Sequence, residues 1–265
     1  MHFFCDRTNL LAVLSATWML AQSPGLAAEP AGAPLDGSGL DASVAFAPAA
    51  LPASAELGYR TTAVVKLMEV PITLHGRTTI LWRLDAGHYE SHLHIDTGGF
   101  DQTSRGQVAA DGTLTPDRYE EKRPFHEAET VDIDWAHGRI RFAGDAPSQV
   151  PAPGAQDRLS LQFELARLMQ HFPQQLLSGS MHTVKLIGTH DIDTWNFSVE
   201  EEQSVETGRG AMRAVRFSAR RTVGNVEETM DVWLGADLRW LPIRIRMVDR
   251  KGSIIDSVLQ DATMQ

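Results

Sequence analysis

The sequence predicts a mainly β protein: an antiparallel meander curled into a partial or complete barrel, with one amphipathic helix packed on it. Three observations carry that expectation. Turn dipeptides recur along the chain with flanks that pair apolar with apolar and charge with opposite charge. The runs between them alternate with a period of two, and a single segment follows helical spacing instead.

The chain opens with a short polar stretch containing Arg7, then an apolar run over residues 10–21. That run is too short for a helix to cross a hydrocarbon core of about 30 Å. With small residues at Gly25 and Ala27, residues 1–27 read as a signal peptide. Cys5 precedes the apolar run rather than closing it, so no acylated lipoprotein cysteine is expected. Residues 28–56 are dominated by Ala, Pro, Gly and Ser, contain no basic residue and show no apolar period, which predicts a disordered tether. Residues 57–265 then form a single β-rich domain.

Within it, a two-residue loop at Ala86-Gly87 sets Leu84 opposite Tyr89, Ile80 opposite Leu93 and Arg83 opposite Glu90. A loop at His137-Gly138 sets Trp135 against Ile140, Ile133 against Phe142 and Asp134 against Arg141. A loop at Gly224-Asn225 pairs Ala219 with Met230, Phe217 with Val232 and Val215 with Leu234. A three-residue loop at Arg250-Lys251-Gly252 pairs Met247 with Ile255 and Arg246 with Asp256, and Asp111-Gly112 marks a fifth turn. A slip of one residue would turn each apolar set to solvent, so the patterns fix the faces. Alternation extends the strands through residues 57–69, 100–110, 184–189 and 195–200.

Residues 156–172 break the alternation. Leu161, Leu165, Leu168, Met169 and Phe172 follow helical spacing, Leu159, Phe163 and Ala166 widen the stripe, Asp157 caps the start and Pro173 ends it. A face that wide must lie on or inside the sheet, and so many strands overgrow a flat open one.

Four blocks, TLTPDRYEEKR (113–123), DIDWAHGRIRF (132–142), QDRLSLQFELARL (156–168) and VWLGADLRWLPIRIRMVDRKGSIID (232–256), resemble the DUF3108 family of exported bacterial proteins. The resemblance implies a Gram-negative envelope location and one mainly β domain. It brings no activity and no catalytic residues.

Composition narrows the functional classes. The 265 residues are 43% hydrophobic and 22% charged, with a net charge of -10 that repels nucleic-acid phosphates, so no nucleic-acid partner is expected. Cys5 is the only cysteine, and a chain cleaved after residue 27 has no thiolate for catalysis or metal binding. No G-x-S-x-G, P-loop, H-E-x-x-H or strand-following G-x-G-x-x-G occurs, so no cofactor is expected and a non-enzymatic role is favoured.

The residues left as candidates fall into three sets. His88, His92 and His94 share one strand face, a metal half-site in a metal-dependent enzyme or else a solvated polar face. Arg216, Arg220, Arg244 and Arg246 suit an anion patch or else cross-strand ion pairs, just as Asp132 with Asp134 and Asp191 with Asp193 are acid/base pairs or plain surface carboxylates. Trp82, Trp135, Trp195 and Phe197, with Leu165, Met169 and Phe172 of the helix, are expected to line an apolar cavity or else to form a packed core. The favoured reading is a periplasmic binding or carrier module for a hydrophobic or amphiphilic envelope ligand, with no transmembrane span in the mature protein. The alternative is an interaction module docking on an envelope protein complex.

Overall fold

Leu84 faces Tyr89 and Ile80 faces Leu93 across the Ala86-Gly87 turn, the register that alternation demanded. The structure is a computed structural model describing residues 51–67, 70–97, 99–249 and 251–265. The expected leader and most of the tether lie outside the described residues. The first strand, β1, spans Ser54–Leu67 and so begins ahead of residue 57, with Leu51 already buried.

Six more strands follow: β2 (Val70–Asp85), β3 (His88–Ile95), β4 (Phe100–Val108), β5 (Leu114–Lys122), β6 (Glu129–Asp134) and β7 (Arg139–Arg141). A two-residue strand, β8 (Gln156–Asp157), leads into helix α1 (Ser160–His171). The chain then runs through β9 (Met181–Ile187), β10 (Ile192–Val199), β11 (Gln203–Thr207) and β12 (Gly210–Val223). It finishes with β13 (Val226–Gly235), β14 (Pro242–Val248) and β15 (Ile254–Met264).

All fifteen strands form one sheet in the order β7-β6-β5-β4-β3-β2-β1-β15-β14-β13-β12-β10-β9-β8, with β11 paired to β12. Neighbours are antiparallel except β8 with β9. The first and last described strands, β1 and β15, therefore pair mid-sheet.

The sheet curls without closing. Its two ends approach through single bonds rather than a ladder: Gln156 Nε2 donates to Leu114 O at 2.7 Å, and Ala143 N to Thr189 O at 3.0 Å. Bulges at Gly58/Tyr59, Arg105/Gly106 and Trp233/Leu234 add local bend and twist. Gly106 is required there, because a Cβ would sit 2.2 Å from Thr115 O.

Three other hairpins keep their expected registers or turns. Phe217 faces Val232 and Ala219 faces Met230, Met247 faces Ile255, and the Asp111-Gly112 turn joins β4 to β5. The hairpin of β6 and β7 differs. Ile133 faces Ile140 and Asp134 faces Arg139, so the loop is longer than the two residues expected at His137-Gly138. The side chain of Asp134 explains the change: Oδ1 accepts from His137 N at 3.0 Å and Oδ2 pairs with His137 Nδ1 at 2.8 Å. Trp135 leaves the strand to donate from Nε1 to Pro116 O at 2.8 Å. The new pairing moves by two residues, which preserves which side chains face inward, so alternation cannot distinguish the two registers.

The helix spans Ser160–His171, within the 156–172 segment, because Gln156 and Asp157 pair with β9. Asp157 Oδ1 accepts from Leu159 N and Ser160 N, both at 2.8 Å, which satisfies two of the orphan donors at the helix start. Residues 160–167 are all buried. Leu159, Phe163 and Ala166 join the core made largely by β1–β3 and β5–β7, while Leu161, Leu165 and Met169 join the core of β9, β10, β12 and β13. The helix lies inside the curl, serving two apolar walls, which is why its stripe is so wide.

Candidate functional site

Alternation along β5 turns Tyr119 and Glu121 inward, and Gln102 of β4 comes alongside them. Tyr119 Oη donates to Glu121 Oε2 at 2.8 Å and accepts from Gln102 Nε2 at 2.7 Å. Arg158 at the foot of α1 donates from Nη1 to the same Oε2 at 3.2 Å, and Arg123 Nε donates to Oε1 at 2.9 Å. Arg123 also reaches Glu129 at 2.7 Å. Burial on its own pushes the Glu121 carboxyl up. The Arg158 guanidinium, the Tyr119 hydroxyl and Arg123 outweigh that push and hold it down at about 2.

A second buried acid lies one residue before Arg158. Asp157 Oδ2 accepts from Ser104 Oγ at 2.5 Å, and Ser104 in turn lies 3.3 Å from Tyr89 Oη. Burial raises the pKa of Asp157 in spite of the hydrogen bonds from Ser104, Ser160 and Leu159. The two acids thus lie in environments that push them in opposite directions.

Between the first turns of α1 and the two walls of the curl lies a cavity of about 170 Å³. Its apolar lining comes from Leu93, Ile95 and Phe100 on one wall and from Met230, Val232 and Ile245 on the other. Met247 and Ile255 complete that second wall. Gln102, Glu121, Arg123, Arg158 and Gln162 border it with polar groups. A smaller void of about 70 Å³ shares Ile95, Phe100 and Ile255 with it and continues toward Leu74 and His75 of β2. Three of the lining residues, Gln162, Thr229 and Ser253, each carry a side-chain oxygen that is buried without a hydrogen-bond partner among the described residues.

The residues singled out by sequence are dispersed relative to this cavity. Leu165, Met169, Trp195 and Phe197 come together in one apolar cluster, and of these Trp195 borders the cavity. Trp82 lies in the other core, stacked on Phe163 at 4.3 Å between ring centres, with Nε1 donating to Pro52 O. Trp135 borders a separate groove with Asp117, Asp132 and Arg141, and Phe172 is half-buried beyond the end of α1 under the Arg167 guanidinium.

Arg216 and Arg244 stack on Trp233 at 5.1 and 4.7 Å from its ring centre. Arg216 pairs with Asp231 at 2.8 Å, Arg244 with Asp256 at 2.6 Å, and Arg246 lies 3.9 Å from Asp231, while Arg220 is exposed. His92 and His94 both approach Asp101, at 3.4 and 2.7 Å. His88 is exposed, and among the described residues no three His, Cys, Asp or Glu side chains converge in a way that holds a metal ion. Asp132 and Asp193 each have an arginine partner, in Arg118 and Arg221.

Sequence reasoning passed over Glu121, Arg158 and Gln162. The available signal was a charged residue on the inward face of a β5 run that also buries Tyr119, together with polar side chains within the wide apolar stripe of α1.

A model of the family described as "Protein of unknown function (DUF3108)" matches residues 63–259. No curated protein matches the chain. Among solved structures, a β-barrel-like protein of domain of unknown function DUF1849 from Brucella abortus is 12% identical, covering 82% of this chain and 100% of its own, with a TM-score of 0.54. A DUF1329 family protein from Desulfovibrio piger is 10% identical, covering 81% and 86%, with a TM-score of 0.26. The Brucella protein supplies the likeness in fold.

Proposed function

Because the chain belongs to the DUF3108 family, whose description assigns no activity, we propose its function from the site: it is a non-enzymatic binding or carrier protein for a hydrophobic or amphiphilic ligand of the cell envelope. The observation that carries this reading is the cavity inside the curl. Protein interiors close-pack, and this partly open, largely apolar-lined cavity of about 170 Å³ is space left unpacked between the helix and two strand walls. A ligand occupying it removes that apolar lining from water.

A leader at residues 1–27, read from the sequence, supports a periplasmic location, where such ligands need shielding from water. Among the described residues no helix is long and apolar enough to cross a membrane. Docking through the ends of the sheet is less favoured, because β7 and β8 are only three and two residues long and give an incoming strand little to pair with.

Native mass spectrometry of the protein purified from the periplasm, followed by organic extraction, tests the proposal. A discrete added mass that extracts as one class of small amphiphile is the expected result. Ile255→Trp, which places an indole where the two voids meet, is expected to lose that mass while melting as a folded protein. A clean apo mass in the wild type overturns the carrier reading and directs attention to crosslinking for a protein partner.

A further inference from the structure

The cavity and the smaller void beside it lie in line along the strands, and that line narrows the class of ligand, an inference that rests on the binding role proposed above. Inward-facing residues of a strand recur every second position, about 6.7 Å apart. On β2, Thr78 lines the cavity, while Gly76 and Leu74, the next two inward positions, line the smaller void. On β15, Ser257 lines the cavity and Ile255 lines both spaces. The two are successive parts of one slot, which runs about 13 Å along β2 from Thr78 to Leu74.

The outer part is narrow and apolar. It holds about 70 Å³, and Thr97 packs so closely on Gly76 that a Cβ there would collide with the threonine hydroxyl. The hydroxyls along the slot are spent within the protein. Thr61 Oγ1 shares hydrogen bonds with Thr78 Oγ1 at 2.6 Å and Ser257 Oγ at 2.8 Å, and Thr97 Oγ1 donates to His75 O at 3.1 Å. Apart from His75 at the rim, the wall offers a ligand Ala63, Leu74, Ile95, Phe100 and Ile255, all of them partly exposed.

Past Leu74 the neighbouring strands stop. β15 follows β1 only to Val64, opposite Ile254, and β3 joins β2 only from Thr78, opposite Ile95. β1 and β2 stay paired out to Leu67 and Val70, so their hairpin projects beyond both neighbours as an arm. Ile72 carries the inward line of Leu74 onto that arm.

We propose that the ligand is an unbranched alkyl or acyl chain held tail-first. Its end lies in the cavity against Phe100 and Met230, the chain threads the narrow part past Ile255 and Leu74, and its polar group stays in water at the β1–β2 arm. The cavity by itself is near the size that takes a benzene-sized group, and only a chain uses both parts of the slot.

The test uses the whole exported protein with labelled methionine and leucine methyls, since Met230 and Met247 line the inner part and Leu74 the outer. Hexan-1-ol, decan-1-ol and 1-adamantanol, a compact cage with as many carbons as decan-1-ol, are titrated in turn. Hexan-1-ol is expected to shift the two methionine methyls, and decan-1-ol to shift Leu74 as well. Affinity is expected to rise about four-fold for each added CH2 that the slot buries, and decan-1-ol to bind more than about ten-fold tighter than 1-adamantanol, which does not thread the narrow part. Leu74→Glu, a change at a partly exposed position, is expected to erase the gain from the longer chain while hexan-1-ol still shifts Met230. The comparison of decan-1-ol with 1-adamantanol on the wild type needs no variant to fold. 1-Adamantanol binding as tightly as decan-1-ol, or Leu74→Glu leaving decan-1-ol as tight as before, overturns the inference and leaves the carrier reading intact. If no alcohol moves any of these methyls, the carrier reading itself fails.

Discussion

Arg158 Nη1 lies 3.2 Å from Glu121 Oε2, joining the foot of the central helix to the inward face of β5. Both side chains are largely withdrawn from solvent, at 16% and 3% exposure. Glu121 is also the shared acceptor for Arg123, Tyr119 and Gln102. Its removal takes an acceptor from two cations, a phenol and an amide at once.

Glu121→Ala is accordingly expected to cost about 3–5 kcal/mol, the range for breaking a buried pair by deleting one partner. Glu121→Gln keeps the shape and one acceptor and should cost less. Urea unfolding of the two variants measures the difference, and a loss under about 1 kcal/mol for the alanine variant would place the network among surface-like pairs.

Acid stability follows from the same residue. The Glu121 pKa falls from an ordinary 4.5 to about 2 in the folded protein, so its contribution is complete above 4.5 and is lost as pH falls toward 2. Asp157, whose pKa burial raises, acts in the opposite sense, since the folded state takes up its proton more readily than the unfolded chain. The wild type should therefore lose stability between pH 4.5 and 2, and Glu121→Gln should flatten that limb. Equal slopes for the two proteins would remove Glu121 as the cause.

The bond from Ser104 to Asp157 ties β4 to the helix cap. Ser104→Ala should cost about 1–2 kcal/mol and Asp157→Ala more, because the latter also frees the amides of Leu159 and Ser160. A double-mutant cycle should give a clearly non-additive coupling. Additive losses would mean the two residues act separately.

Trp82 and Ile255 separate packing from binding. Trp82 stacks on Phe163 and Tyr89 away from the cavity, so Trp82→Ala should cost about 3–5 kcal/mol yet leave ligand bound to the folded fraction. Ile255→Trp should do the reverse, with overpacking of about 1–3 kcal/mol and loss of ligand. Calorimetry and native mass measured on both variants check the contrast, and loss of ligand from folded Trp82→Ala would contradict it.

Much of the fold was legible because its determinants are close together in the chain. Leu84 with Tyr89, Phe217 with Val232 and Met247 with Ile255 each cross a short loop whose residues announce it. The β6–β7 hairpin shows where that legibility ends, since a two-residue shift preserves every inward face and only the Asp134 side chain selects the longer loop. The aromatic residues chosen by size proved to be spread over two cores, and Trp195 is the one that reaches the cavity.

The sequence by itself determined most of the strands, most hairpin registers and the one helix, because period-two alternation, turn chemistry and helix capping act between near neighbours. Tertiary structure decided that the sheet wraps around that helix, that Glu121 meets Arg158, and that Gln162, Thr229 and Ser253 border one void. A cavity is the space left after β3, β4, β13, β14 and β15 have packed against a helix. No local pattern encodes it, since it depends on the summed volumes of side chains that only the curl brings together.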